Sequence, residues 1–185
     1  MKRIILALTS SWVILSCSFS QGTNEHSSEA SSGTPSYPKL IQTEADWRAY
    51  KAYLDSIMNK DHDARAYHLM AQYYCARSSY DRAKVYADTC ITLAISSGDT
   101  ESACKAHWTK ANCYHFLGNT SSEEREWKAI IAIGLQPYAN DAKERLAFCY
   151  WEAGRYEEAL RALPDSLSDE GRGLYEKMTD REPGL

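Results

Sequence analysis

Three times along this chain a small residue is followed, at fixed distances, by an aromatic, a turn former and an apolar residue. The small residues are Ala71, Ala111 and Ala147. Three positions on stand Tyr74, Tyr114 and Tyr150; seven on, Ser78, Gly118 and Gly154. Nine on are Tyr80, Thr120 and Tyr156; twelve on, Ala83, Glu123 and Ala159; sixteen on, Ala87, Trp127 and Leu163. The copies start 40 and then 36 residues apart. A period of this length marks one supersecondary unit that cannot bury its own apolar face and must stack on its neighbours.

The spacing inside each copy predicts a helix hairpin. The first small residue and the Tyr share one face of helix A, the turn former ends that helix, and the second small residue lies on helix B. Small residues on both helices let the axes approach, and the aromatics fill the space beside them. No useful length of chain alternates as a strand would. The expected fold is therefore all-α, an αα-hairpin superhelix of about three repeats, with units at about 64–97, 104–137 and 140–164. Flanking helices are expected at 43–58 and 167–179. The first opens with Thr43 and Asp46 in the arrangement of a capping box and sets Trp47, Tyr50, Leu54 and Ile57 on one face. The last carries Leu167, Leu174 and Met178 but also Gly171 and Gly173, a weak cap for the stack.

These residues resemble the tetratricopeptide repeat (TPR) pattern. The third unit matches through Leu146-Ala147, Tyr150 and "AGRYEEAL" (153–160); the first through Tyr67, Met70-Ala71, Tyr74 and "SYDRAK" (79–84). The second departs from it, with His107 and Lys110 where an aromatic and an aliphatic belong and Glu123 in the small helix-B slot. The resemblance spans about 64–164 and implies a fold and a protein-binding role, without naming a partner.

The N-terminal end has a different logic. Lys2 and Arg3 precede "IILALTSSWVIL" (4–15), an apolar run too short to span a bilayer, and then "ILSC" (14–17). This resembles the lipobox of bacterial lipoproteins: residues 1–16 would be a signal peptide and Cys17 the lipidated residue. Ordinary secretion with cleavage after "SFS" (18–20) and an uncleaved anchor are the alternatives. Ser18 after the Cys resembles the outer-membrane rather than the inner-membrane sorting signal. Thirteen of the 22 residues in 18–39 are Ser, Gly, Thr or Pro, so 17–41 reads as anchor and flexible tether with a reach of roughly 25 Å. Loss of 1–16 leaves 19 basic against 25 acidic residues, a charge that argues against nucleic acid and against electrostatic adhesion to anionic lipid.

Chemistry has little purchase. Cys113 and Cys149 share one slot of the repeat and Cys90 falls in a small-residue position of helix B, so Cys75, Cys90, Cys104, Cys113 and Cys149 read as buried thiols, with one disulfide as the alternative; no CxxC occurs. His62, His68, His107 and His115 complete no ligand set, and no nucleophile stands beside a base. No cofactor, metal or catalytic residue is expected. The acidic pairs in "SSEEREW", "YEEA" and "SDEG" suit helix N-termini.

In TPR arrays the partner lies on the concave face, along helix A beside the core stripe. In this frame the positions are His68 and Gln72 in the first unit; Trp108, Asn112, His115 and Phe116 in the second; Glu144, Phe148 and Trp151 in the third. Rings on a stripe that could have been polar suit peptide recognition, although they also suit packing against a neighbouring A helix or a terminal helix. Only Asn112 matches the Lys/Asn set with which chaperone-binding TPRs clamp a terminal carboxylate. The expectation is a membrane-anchored adaptor or scaffold at the bacterial cell envelope, its domain in the periplasm or at the cell surface. A partner-sensing input module and a self-associating structural lipoprotein are the alternatives.

Overall fold

The computed structural model describes Ile41 and residues 43–180. Among them are eight α-helices and no strand: α1 (Glu44–Lys60), α2 (Ala64–Ala76), α3 (Tyr80–Ser97), α4 (Thr100–Phe116), α5 (Thr120–Ile133), α6 (Tyr138–Glu152), α7 (Tyr156–Ala162) and α8 (Asp169–Thr179). Contacts divide the chain into two compact units, Met1–Ala52 and Tyr53–Leu185. The described part of the first holds the cap and opening turns of α1. There the Thr43 N–H donates to Asp46 Oδ2 at 2.8 Å and the Asp46 N–H to Thr43 Oγ1 at 3.2 Å, the reciprocal capping that the sequence predicts.

In the second unit each helix from α2 to α7 packs on the next, giving three hairpins, α2–α3, α4–α5 and α6–α7. The all-α hairpin stack expected from the repeat is the fold found. The register is set by the turns. Ser78, Gly118 and Gly154 all adopt left-handed backbone, with φ of 55°, 67° and 75°. The N–H one residue further on (Ser79, Asn119, Arg155) donates to the carbonyl of Tyr74, Tyr114 and Tyr150, at 2.8, 2.9 and 2.9 Å. The repeated Tyr thus terminates helix A through its carbonyl, and the next position must reverse the chain with positive φ. Glycine does so freely, whereas Ser78 carries a conformational cost of roughly 1–2 kcal/mol.

The small slots close each hairpin. Ala71, Ala83, Ala87, Ala111, Ala147 and Ala159 are all fully buried, so helices approach along alanine faces. One apolar cluster surrounds the first hairpin and the start of α4, with Ala71, Ala87, Cys90 and Ala106 among Tyr67, Tyr86 and Leu93. A second surrounds Trp127, Ile130, Leu146 and Tyr150. Helix α4 starts at Thr100 rather than near 104, because Asp99 caps it by accepting the Ser102 N–H at 3.0 Å.

The last helix is tied down by more than its weak apolar face. Leu174 and Met178 join the second cluster, and α8 touches both α6 and α7. Its N-cap, Ser168, donates its backbone N–H to Glu144 Oε1 on α6 at 2.7 Å, and its hydroxyl bonds the other carboxylate oxygen. A Cβ on Gly171 would lie 2.6 Å from the same carboxylate, so this glycine is what lets α8 approach. No described helix is long and apolar enough to cross a membrane. The expectations for 1–16, Cys17 and the tether lie outside the described residues.

Candidate functional site: the junction of the second and third hairpins

The second hairpin fills the repeat frame with polar side chains. Where the first sets the rings of Tyr67 and Tyr86 6.2 Å apart, the second sets His107 Nδ1 2.7 Å from Glu126 Oε2. Lys110, in the slot of Met70, reaches Glu126 Oε1 at 3.1 Å and Asp88 at 2.7 Å. Glu126 is only 2 % exposed. Burial alone would push its carboxyl up, but the hydrogen bond from His107 and the Lys110 charge outweigh burial and hold it below the ordinary range. Glu123, in the slot of Ala83 and Ala159, accepts from the buried Trp127 indole N–H at 3.2 Å and lies 3.3 Å from His115 Nδ1. That bond raises the His115 pKa. The departures from the repeat pattern are therefore members of partnered networks.

The two junctions between hairpins differ. At the first, α2 packs directly on α4, with Cys75 of α2 half-buried and Cys113 of α4 fully buried. At the second, α4 and α6 approach less closely, and side chains span them: the Tyr138 hydroxyl on α6 donates to Glu101 Oε1 on α4 at 3.3 Å. Arg145 on α6 lays its guanidinium over the Trp108 ring at 5.9 Å. Near the hairpin turns a cleft of about 170 Å³ opens there, lined by His115, Glu123, Cys149 and Glu152 among others. His115 and Cys149 occupy the repeat positions that Cys75 and Cys113 hold at the closed junction. Burial raises the Glu152 carboxyl and pushes the Cys149 thiol up to about 12, so the cleft holds a protonated, unreactive thiol.

The stripe expected to meet a partner divides along this difference. His68 is buried, 7 % exposed, and burial followed by the nearby Lys105 charge lowers its pKa to about 4; the structure moves it from the surface into the interior. Gln72 is half-buried on α2, and Asn112 half-buried on α4. Glu144 is engaged as the cap of α8. Trp108 is half-buried and packs edge-on against Trp127 at 4.8 Å, a core contact. Phe116 is exposed at the end of α4 and stacks on Tyr80 of the preceding hairpin at 5.5 Å. Phe148 is 36 % exposed and lies 5.8 Å from the ring of Trp151. The buried indole N–H of Trp151 has no hydrogen-bond acceptor. Of the stripe, Phe148 and Trp151 lie together on α6, and His115 lines the cleft with Glu152.

Glu123 also lines the cleft, a place that the sequence pattern does not give it. The available signal is the charge of Glu123 in a slot that Ala83 and Ala159 fill in the other two units. Among the described residues no group of three or more His, Cys, Asp or Glu is placed to hold a metal ion. The chain matches no protein-family model, no curated protein and no solved structure. Its class, an all-α stack of helix hairpins, rests on the packing described above.

Proposed function

We propose that this protein is a helical-repeat adaptor that holds a protein or peptide partner on its A-helix face, at the open junction of α4 and α6. In this reading the lipobox-like "ILSC" supplies a lipid anchor at Cys17, and the tether holds the hairpin stack away from a bacterial envelope membrane. The observation that carries the reading is the pair Phe148 and Trp151. Phe148 is 36 % exposed although it sits between fully and nearly fully buried residues of α6, and Trp151 carries an indole N–H without an acceptor. An unmatched buried donor costs about 1–3 kcal/mol, a cost that a partner carbonyl reached by a small shift of the ring would remove. An aromatic pair on α6, the helix that also brings Glu152 to the cleft, has the composition of a recognition patch. The resemblance to the TPR pattern supports the same role.

The test is co-purification from the producing cells with the full chain and with Phe148→Ser, after circular dichroism has matched the helicity of the two. The adaptor reading expects a specific partner to be reduced at least tenfold by the substitution. Unchanged partners would remove Phe148 from the interface. Cys17→Ala should release the protein from membranes, and continued membrane association would contradict the anchor.

A further inference from the structure

The last helix has little of its own to keep it folded. Of the 11 residues of α8, Gly171, Leu174 and Met178 are buried, and only two of these bring an apolar side chain. Arg172, Tyr175, Glu176, Lys177 and Thr179 are exposed. Gly171 has a packing reason, since a Cβ there would meet the Glu144 carboxylate. Gly173 has none, because a Cβ there would meet no atom within 4 Å. It only lowers the helix propensity of a segment too short to be helical alone. Docking, rather than local sequence, therefore keeps α8 folded. That docking is fastened at the N-terminus of the helix. The Ser168 N–H donates to Glu144 Oε1 at 2.7 Å, and the Ser168 hydroxyl donates to Oε2. The same hydroxyl oxygen accepts the Gly171 N–H at 3.0 Å. One carboxylate thus orients the cap of α8 and sets a negative charge at its positive end. Residues 163–168, between α7 and α8, are not helical, so α8 can move without bending α7.

We propose that α8 is a latch: it undocks as one unit while the three hairpins stay folded, and its release frees the Glu144 carboxylate on the A helix of the third hairpin. Opening breaks both bonds from Ser168 and withdraws Leu174 and Met178 from the cluster around Trp127, Leu146 and Tyr150. Once undocked, α8 loses its helix, because its two glycines and its length cannot sustain one. The hairpins lose no contact within themselves: Ala147 and Ala159 still close α6 on α7, and the Arg155 N–H still ends α6 on the Tyr150 carbonyl. Glu144 stands four and seven residues before Phe148 and Trp151, on the same face of α6. Closed and open forms therefore differ in whether that face offers a carboxylate. Any group that engages Glu144 in place of Ser168 favours the open form.

The inference stands whether or not a partner docks at the open junction. Its test is amide hydrogen exchange, followed by NMR, on the full chain and on Glu144→Ala and Gly173→Ala. In the unaltered chain the amides of 173–179 should share one rate, slower than in an unstructured chain but roughly tenfold or more faster than the core amides of α4 and α6. Glu144→Ala should speed that shared rate roughly tenfold and leave α4 and α5 unchanged. Gly173→Ala should slow it about fivefold. Amides of α8 as protected as those of α6, or loosened in Glu144→Ala only together with those of α4 and α5, would make α8 an inseparable part of the stack and overturn the latch. So would rates that climb steadily towards residue 179, which report fraying from the end. An α8 without protection in the unaltered chain, or one indifferent to Glu144→Ala, would overturn the fastening. An unchanged rate in Gly173→Ala would overturn the part given to that glycine.

Discussion

At the positions where the first hairpin sets Tyr67 against Tyr86, the second sets His107 against Glu126, with Lys110 where the first has Met70. The backbone around both is the same: a Tyr carbonyl accepting the final N–H, a left-handed turn residue, and a fully buried alanine on helix A. One frame thus accepts either an aromatic pair or a charged network. The frame asks for filled volume and satisfied donors, and either chemistry meets that demand. What the two solutions do not share is their response to disturbance. Rings tolerate the loss of a neighbour better than a buried carboxylate tolerates the loss of its cation.

The largest effect should come from breaking that network. Glu126→Ala leaves His107 without its acceptor and removes one of the two carboxylates on Lys110, and it should cost about 3–5 kcal/mol by urea unfolding. Replacing His107→Tyr, Lys110→Met and Glu126→Tyr together installs the residues of the first hairpin and should restore most of that loss. A triple variant as unstable as Glu126→Ala would show that the two hairpins are not interchangeable.

The histidines of the two hairpins should respond to acid with opposite signs. His68 is held neutral inside, with its pKa lowered to about 4. The unfolded chain therefore binds more protons between that value and about 6.5, and stability falls as pH drops through this window. The full difference is on the order of 3 kcal/mol, at ~1.4 kcal/mol per pH unit. His115 is raised by its bond to Glu123. Its contribution is complete below about 6.5 and is lost as pH rises through the folded value. Denaturant midpoints across pH 4–8 should show the acid limb flattened in His68→Leu and retained in His115→Gln. An unchanged acid limb in His68→Leu would place the titration elsewhere.

The smallest effect lies in the turns. Ser78→Gly should stabilise by about 1 kcal/mol by relieving the strain of positive φ, and Gly118→Ala should destabilise by a similar amount. A Cβ at Gly118 would meet no atom within 4 Å, so backbone strain alone is being read. Equal responses of one sign would mean that the turns are not equivalent.

The fold was legible because each repeated slot encodes a local demand. A Tyr–x3–turn spacing ends a helix, and paired alanines close a hairpin, whatever lies further off. The networks were not legible. His107, Lys110 and Glu123 read as departures from a pattern because the groups that satisfy them (Glu126, Asp88 and Trp127) sit on other helices or at slots the pattern leaves blank. The stripe from His68 to Trp151 lies on A helices, but helical spacing says nothing of what covers it. Burial of His68 within the first hairpin's packing and the capping of α8 by Glu144 are tertiary outcomes. So are the opening near the turns of α4 and α6 and, on α6, the exposure of Phe148.

The central claim is that this opening is where a partner docks. A photo-crosslinking amino acid placed at position 148, and in a second strain at position 85, tests it in the cells that make the protein. Val85 is 65 % exposed on α3 and serves as the control surface. The account predicts a discrete adduct to one protein at 148 and none at 85. No adduct at 148, or the same adduct at both positions, would contradict it.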